Sequence, residues 1–156
     1  MAKKPLIMIV EDEKDVADSI GQPIKSTNKY DVVIVYSAKD ALKQISKTGT
    51  FMGIGSIPIR LILLDIKMPE MDGLQFLSEL RKEHPPDSVG VIIISAWEDK
   101  EKFAKAREGS VAGYLIKPFN NDDLLFAIDR FFEGKSKWMI EQTKWETIGK
   151  EEKLEL

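Results

Sequence analysis

Five short apolar runs punctuate the chain: Leu6–Val10, Tyr30–Tyr36, Leu61–Leu64, Val91–Ile94 and Tyr114–Ile116. Apolar residues following one another without polar alternation, and ending abruptly, predict short strands buried on both faces; the β-branched and aromatic run Tyr30–Tyr36 is a strand by propensity as well. Helical spacing fills the intervals. Val16, Ala17 and Ile20 predict a helix over Asp15–Ile24, with Asp15 as its cap and Gly21 and Pro23 marking its weakening end. Ser37 caps a second helix through Ala38, Ala41, Leu42 and Ile45, and Leu74, Phe76, Leu77 and Leu80 make a third that stops before His84-Pro85-Pro86. A charged fourth helix with a thin stripe of Phe103, Ala104 and Ala106 is expected over Lys100–Arg107. Asn120 or Asn121 then caps a fifth through Leu124, Leu125, Ile128, Phe131 and Phe132. Strand and helix alternate five times, which specifies an α/β domain: a parallel sheet covered by helices on both faces through right-handed crossovers.

Two stretches stand outside this repeat. Residues 46–58 are rich in Gly and Thr and form a longer connection than a compact domain needs, either a lid or an excursion. Residues 133–156 open on Gly134-Lys135-Ser136-Lys137, a joint, and then carry Trp138, Ile140, Trp145 and Ile148 among lysines and glutamates. We expect a helical tail laid on the domain, the alternative being a surface for a partner or a second copy. No output domain is expected to follow.

Composition narrows the function. A chain of 156 residues is one domain by length, and 43% hydrophobic and 31% charged content are ordinary for a globular protein. Cysteine is absent, which excludes a disulfide framework, a thiolate metal site and a thiol nucleophile. The apolar run after Met1-Ala2-Lys3-Lys4-Pro5 ends at Glu11, too short for a signal-peptide core, and nothing approaches a membrane-spanning length, so a cytoplasmic protein without membrane contact is expected. Net charge is −3 with acids and bases interleaved, which leaves no footprint for nucleic acid.

The candidate chemistry lies at the strand tips. Glu11 and Asp12 follow the first strand, Asp65 ends the third, Ser95 the fourth and Lys117 the fifth. In the doubly wound order 2-1-3-4-5 the first and third strands are neighbours at the switch point, where a crevice opens outside the carboxyl ends of the strands. Three carboxylates converging there repel one another unless a cation joins them, and a hard divalent ion with oxygen ligands, Mg²⁺ or Mn²⁺ in its place, is the natural one. A phosphoryl group added to Asp65 would replace one charge by about two, held by the ion, the Lys117 ammonium and the Ser95 hydroxyl. Asp65 is therefore a credible carboxylate nucleophile.

On Glu11-Asp12, Leu64-Asp65, Met68-Pro69-Glu70-Met71-Asp72-Gly73, Ser95-Ala96 and Lys117-Pro118-Phe119, the sequence resembles the receiver domain of two-component response regulators, in its chemotaxis-type, stand-alone form, across about residues 5–132. The resemblance implies a flavodoxin-like five-stranded domain over 1–132, and a phosphoacceptor rather than an enzyme in the ordinary sense. It implies that Asp65 takes phosphate from a histidine kinase or phosphotransfer protein, and that Glu11, Asp12, Asp65 and the backbone carbonyl of Lys67 hold Mg²⁺. Ser95 and Lys117 would bind the phosphoryl group, the Lys117–Pro118 bond would be cis, and Tyr114 would change rotamer as Ser95 moves. Lys67 and Trp97, each two places beyond a key residue, would flank the path of the hydrolytic water, with Trp97 shielding the acyl phosphate. Output would pass by protein contact, including a homodimer through the fourth and fifth helices or the aromatic tail.

Other matches carry less. Gly53-Ile54-Gly55-Ser56-Ile57-Pro58 begins like a dinucleotide fingerprint but closes on Pro, and His84 is expected in a surface turn. Glu70 and Asp72 read as turn and cap residues with Gly73 supplying backbone freedom, and Met68, Met71 and Met139 as packing. The rivals are a degenerate receiver used as a scaffold and a phosphohydrolase with an aspartyl-phosphate intermediate. The latter needs a second acid two residues beyond Asp65, where Lys67 stands.

Overall fold

The apolar runs become the strands of one sheet in the computed structural model, which describes residues 4–45, 49–51, 57–96, 99 and 111–134. Its strands are β1 (Leu6–Val10), β2 (Asp31–Val35), β3 (Thr50–Phe51), β4 (Ile57–Asp65), β5 (Gly90–Ala96) and β6 (Gly113–Lys117), and its described helices are α1 (Lys14–Ser26), α2 (Ala38–Gln44), α3 (Gly73–Glu83) and α4 (Asn121–Phe132). The parallel strands run in the order β2-β1-β4-β5-β6, the doubly wound arrangement expected from the sequence, with β3 paired antiparallel to the start of β4.

Each parallel strand presents alternate residues to two cores. Met8, Val10, Ile62, Leu64, Ile93 and Tyr114 face Ala38 and Ala41 of α2 and Phe76, Leu77 and Leu80 of α3. Ile7, Ile9, Leu61, Leu63, Ile92, Ile94 and Leu115 face Ile20 and Ile24 of α1 and Leu124, Ala127 and Ile128 of α4. Because both faces are covered, the strands read as unbroken apolar runs. The helix starts follow their sequence signals where a side chain reaches the backbone: Ser37 accepts from the Asp40 amide, Asn120 from that of Asp123, and Asp72 makes a reciprocal capping box with Gln75.

Several expectations are corrected. Helix α1 begins one residue before Asp15, with Glu13 at the cap position and no side-chain cap bond, and it continues through Pro23 to Ser26. Burial of Ile24 and hydroxyl bonds from Ser26 to the Gln22 carbonyl and from Thr27 to that of Ile24 hold the turn that Pro23 weakens. The 46–58 connection is not all loop: β3 lies within it, and the central strand begins at Ile57 and runs for nine residues. His84 is buried rather than in a surface turn, beneath the Gly49 turn and beside the Arg81 guanidinium, which donates to the carbonyls of His84 and Val89 at 3.0 and 2.8 Å. The expected helix at Lys100–Arg107, Trp97, most of the Gly53–Pro58 match, and the tail beyond Gly134 with Met139 and its tryptophans lie outside the described residues.

Candidate functional site

Strand register assembles the site. Val10 lies opposite Leu64 across β1 and β4, so Glu11 and Asp65 leave the sheet side by side; the Glu11 amide still extends the ladder to the Val35 carbonyl at 3.1 Å. Asp65 lies opposite Ile94, one residue before Ser95, and Ala96 lies opposite Lys117. Four strand ends thus deliver three carboxylates, a hydroxyl and an ammonium to one rim, as the order of the strands predicted.

Glu11, Asp12 and Asp65 each offer a carboxylate oxygen, and these oxygens all lie within 4.8 Å of one another; Glu11 and Asp65 are buried and Asp12 is exposed. The Lys117 ammonium faces Glu11 Oε1 at 3.7 Å and Asp65 Oδ2 at 3.6 Å. The backbone amides of Asp12 and Lys67 donate to Glu11 Oε2 at 3.0 Å and to Asp65 Oδ1 at 3.1 Å. These donors do not balance the acids. Burial, then a hydrogen bond to Asp65 and the Asp65 charge, push the Glu11 carboxyl up from 4.5 to about 8, with Asp12 adding to the rise and Lys117 opposing it. An all-oxygen, charge-rich donor set with one member forced toward protonation fits a hard divalent cation, whose charge removes the cause of that protonation.

The loop after Asp65 is held by packing as well as by hydrogen bonds. The Gly73 amide donates to the Ile66 carbonyl at 2.7 Å, and a Cβ on Gly73 would come within 2.6 Å of the Asp65 carbonyl oxygen. Gly73 is thus needed for close approach and not, as its place in the turn suggested, for backbone freedom; Glu70 takes the left-handed conformation, at φ 66. Met68 is buried and Met71 packs against the same core, in line with their expected role.

Ser95 is buried, and its hydroxyl donates to the Ala96 carbonyl at 3.2 Å and to Asp99 Oδ2 at 3.4 Å. Tyr114 is buried within the α2/α3 core, and the Lys117–Pro118 peptide bond is cis. Lys67 is exposed, and its ammonium pairs with Asp99 Oδ1 at 3.5 Å. Asp99 is the residue that sequence reasoning missed: it stands among Glu98, Lys100, Glu101 and Lys102, and nothing in that run marks one acid as buried.

An open parallel α/β sheet that gathers three acids and a lysine at its switch point defines a phosphate-and-cation class of site. The response regulator receiver domain model matches residues 7–129, and the chain belongs to that family. Receiver domains are signalling switches that bind Mg²⁺ in their acidic site and interact with histidine kinases or phosphotransfer proteins. Among curated relatives, response regulator ArlR of Staphylococcus saprophyticus is 32% identical over 78% of this chain and 50% of its own length, and the probable C4-dicarboxylate response regulator DctR of Bacillus subtilis is 34% identical over 49% and 33%. The chain therefore spans half or less of the length of these relatives. Among solved structures, a CheY-like receiver domain protein from Methanospirillum hungatei superposes with a TM-score of 0.72 at 26% identity, covering 86% of this chain and 98% of its own. No helix among the described residues is long and apolar enough to cross a membrane.

Proposed function

We propose that this receiver, spanning residues 1–132, accepts its phosphoryl group on Asp65 and passes the changed state on by protein contact in the cytoplasm. The observation that carries this reading is the convergence of the Glu11, Asp12 and Asp65 carboxylates with Lys117 facing two of them. An Asp65 oxygen attacks the phosphorus of a phosphohistidine on a kinase or phosphotransfer protein; the phosphorus–nitrogen bond breaks and the imidazole keeps its electron pair. Lys117 neutralises the transferred group, and the Ser95 hydroxyl, turned from its resting partners, donates to a phosphoryl oxygen. Glu11, Asp12, Asp65 and the Lys67 carbonyl would hold Mg²⁺ or Mn²⁺, which would offset the charge of the transferred group. Reversal is by water, which attacks phosphorus, breaks its bond to the Asp65 oxygen and carries the group away as inorganic phosphate, beside the exposed Lys67.

Buried Tyr114 is the residue that reports Ser95's movement by exchanging its rotamer, and the surface so remodelled is the one offered to a downstream partner or to a second copy. No observation favours the scaffold or phosphohydrolase readings: the acids, Ser95 and Lys117 are all present, and Lys67 occupies the place where the hydrolase needs an acid.

The test is incubation of the purified chain with Mg²⁺ and acetyl phosphate, followed by intact mass. The expected result is one added phosphoryl group, removed by hydroxylamine and absent from Asp65→Asn. Unmodified wild-type protein would overturn the reading.

A further inference from the structure

Two groups assigned to the phosphoryl site rest on something else. The Ser95 hydroxyl, with its single proton, points to Asp99 Oδ2 at 3.4 Å and to the Ala96 carbonyl at 3.2 Å. Lys67, whose amide donates to Asp65 Oδ1 at 3.1 Å, sends its ammonium the other way, to Asp99 Oδ1 at 3.5 Å. The Asp99 side chain is 8% exposed, whereas that of Lys67 is 58% exposed. A buried carboxylate is costly unless it keeps its donors, and among the described residues the side-chain donors that face Asp99 are these two.

We propose that Asp99 is a positioning residue that holds Ser95 in its resting orientation and thereby sets how readily the receiver switches. This inference rests on the reading of Asp65 as phosphoacceptor. A phosphoryl group on Asp65 and the Asp99 carboxylate compete for one hydroxyl proton. Ser95 turns to the phosphoryl oxygens only by giving up its bond to Asp99, which then keeps, among the described residues, the ammonium of Lys67 from the loop after Asp65. The contact therefore subtracts from the free energy with which the phosphoryl group draws Ser95 inward. By population-shift reasoning, removing it raises both the affinity for a phosphoryl mimic and the switched fraction.

The test is a binding titration of the full chain with beryllofluoride in saturating Mg²⁺, read by fluorine NMR of the bound fluorides, for wild type, Asp99→Asn and Asp99→Ala, each with Ser95 intact and with Ser95→Ala. Asp99→Ala is expected to bind about fivefold more tightly than wild type, the loss of one charge-assisted competitor. Asp99→Asn, which keeps size and an acceptor oxygen, should fall between. With Ser95→Ala already in place the gain should shrink below about twofold, because contacting residues couple in a double-mutant cycle. Equal gain in both backgrounds would mean that Asp99 acts only through its charge, and would overturn the proposal. So would unchanged or weaker binding by the folded Asp99→Asn, which is the outcome of a merely structural role. Absence of bound fluoride in wild type itself would overturn the phosphoacceptor reading instead, and the inference with it.

Discussion

Carboxylates meet an ammonium at both edges of the sheet, with opposite results. At the amino-terminal edge, Asp129 of α4 accepts from the Tyr30 hydroxyl at 2.5 Å and pairs with Lys29 at 3.2 Å, while the Tyr30 ring stacks on Phe132 with centroids 5.0 Å apart. One acid there has a hydroxyl and an ammonium to itself. At the carboxyl-terminal edge three acids converge, Lys117 faces two of them, and Glu11 is driven toward protonation. The first arrangement staples α4 to the start of β2; the second leaves negative charge uncompensated among the described residues. A carboxylate neutralised by partners of its own adds to stability, whereas a cluster with more acids than ammonium groups owes its placement to strand register and backbone and favours an added cation.

That division predicts where substitutions hurt. The largest effect should come from Gly73→Ala, which touches no charge. Its Cβ would meet backbone at 2.6 and 2.7 Å, the Asp65 carbonyl oxygen and Ile66 Cα, and backbone cannot rotate aside. We expect a loss of about 3 kcal/mol in urea denaturation, the upper part of the range for overpacking, together with slower phosphorylation of Asp65 by acetyl phosphate. A fully stable Gly73→Ala would show that the loop is softer than its contacts imply.

Next is Tyr30→Phe at the opposite edge. The ring and its stacking on Phe132 remain, and the hydrogen bond to Asp129 is lost, for an expected cost of about 1.5 kcal/mol as for a bond to a charged group. Burial and the Asp129 charge raise the Tyr30 hydroxyl above its ordinary 10. The unfolded chain therefore ionises first, and wild-type stability should fall as pH climbs past about 10, a fall that Tyr30→Phe should lessen. Phosphorylation should be unaffected; a change in it would mean that the two edges are coupled.

Much of this was legible in the sequence, for identifiable reasons. Strands covered on both faces admit no polar side chain until they emerge, so Glu11, Asp65, Ser95 and Lys117 marked their own strand tips, and register then required them to meet. Other features depended on tertiary contacts that no local pattern carries. Helix α1 passes Pro23 because Ile20 and Ile24 are buried in the core, which outweighs one missing backbone bond. Strand β3 is two residues long and exists by pairing with Pro58 and Ile57. His84 is buried under a turn contributed from Gly49, far away in sequence, and Asp99 reaches Ser95 and Lys67, contacts that no local pattern announces.

The smallest effect is the most diagnostic, because its sign differs from that of the others. Glu11 titrates near 8 in the ion-free folded chain and near 4.5 when unfolded, so between those values the folded state binds the extra proton. Stability of the ion-free protein should then decrease as pH rises from about 5 to about 8, the reverse of the usual carboxylate behaviour. Asp65→Asn removes one of the charges that raise Glu11 and should stabilise the ion-free protein by about 1 kcal/mol at pH 8, the scale of one unit-charge repulsion at about 4 Å under the full screening of water. Saturating Mg²⁺ should erase the difference by stabilising wild type more than the variant, since a site that binds only in the folded state adds its binding free energy to folding. Denaturation at pH 5 and pH 8, with Mg²⁺ and with a chelator, checks all of this. An ion-free Asp65→Asn less stable than wild type at pH 8 would mean that Lys117 alone neutralises the cluster, and that the two edges of the sheet differ less than their carboxylates imply.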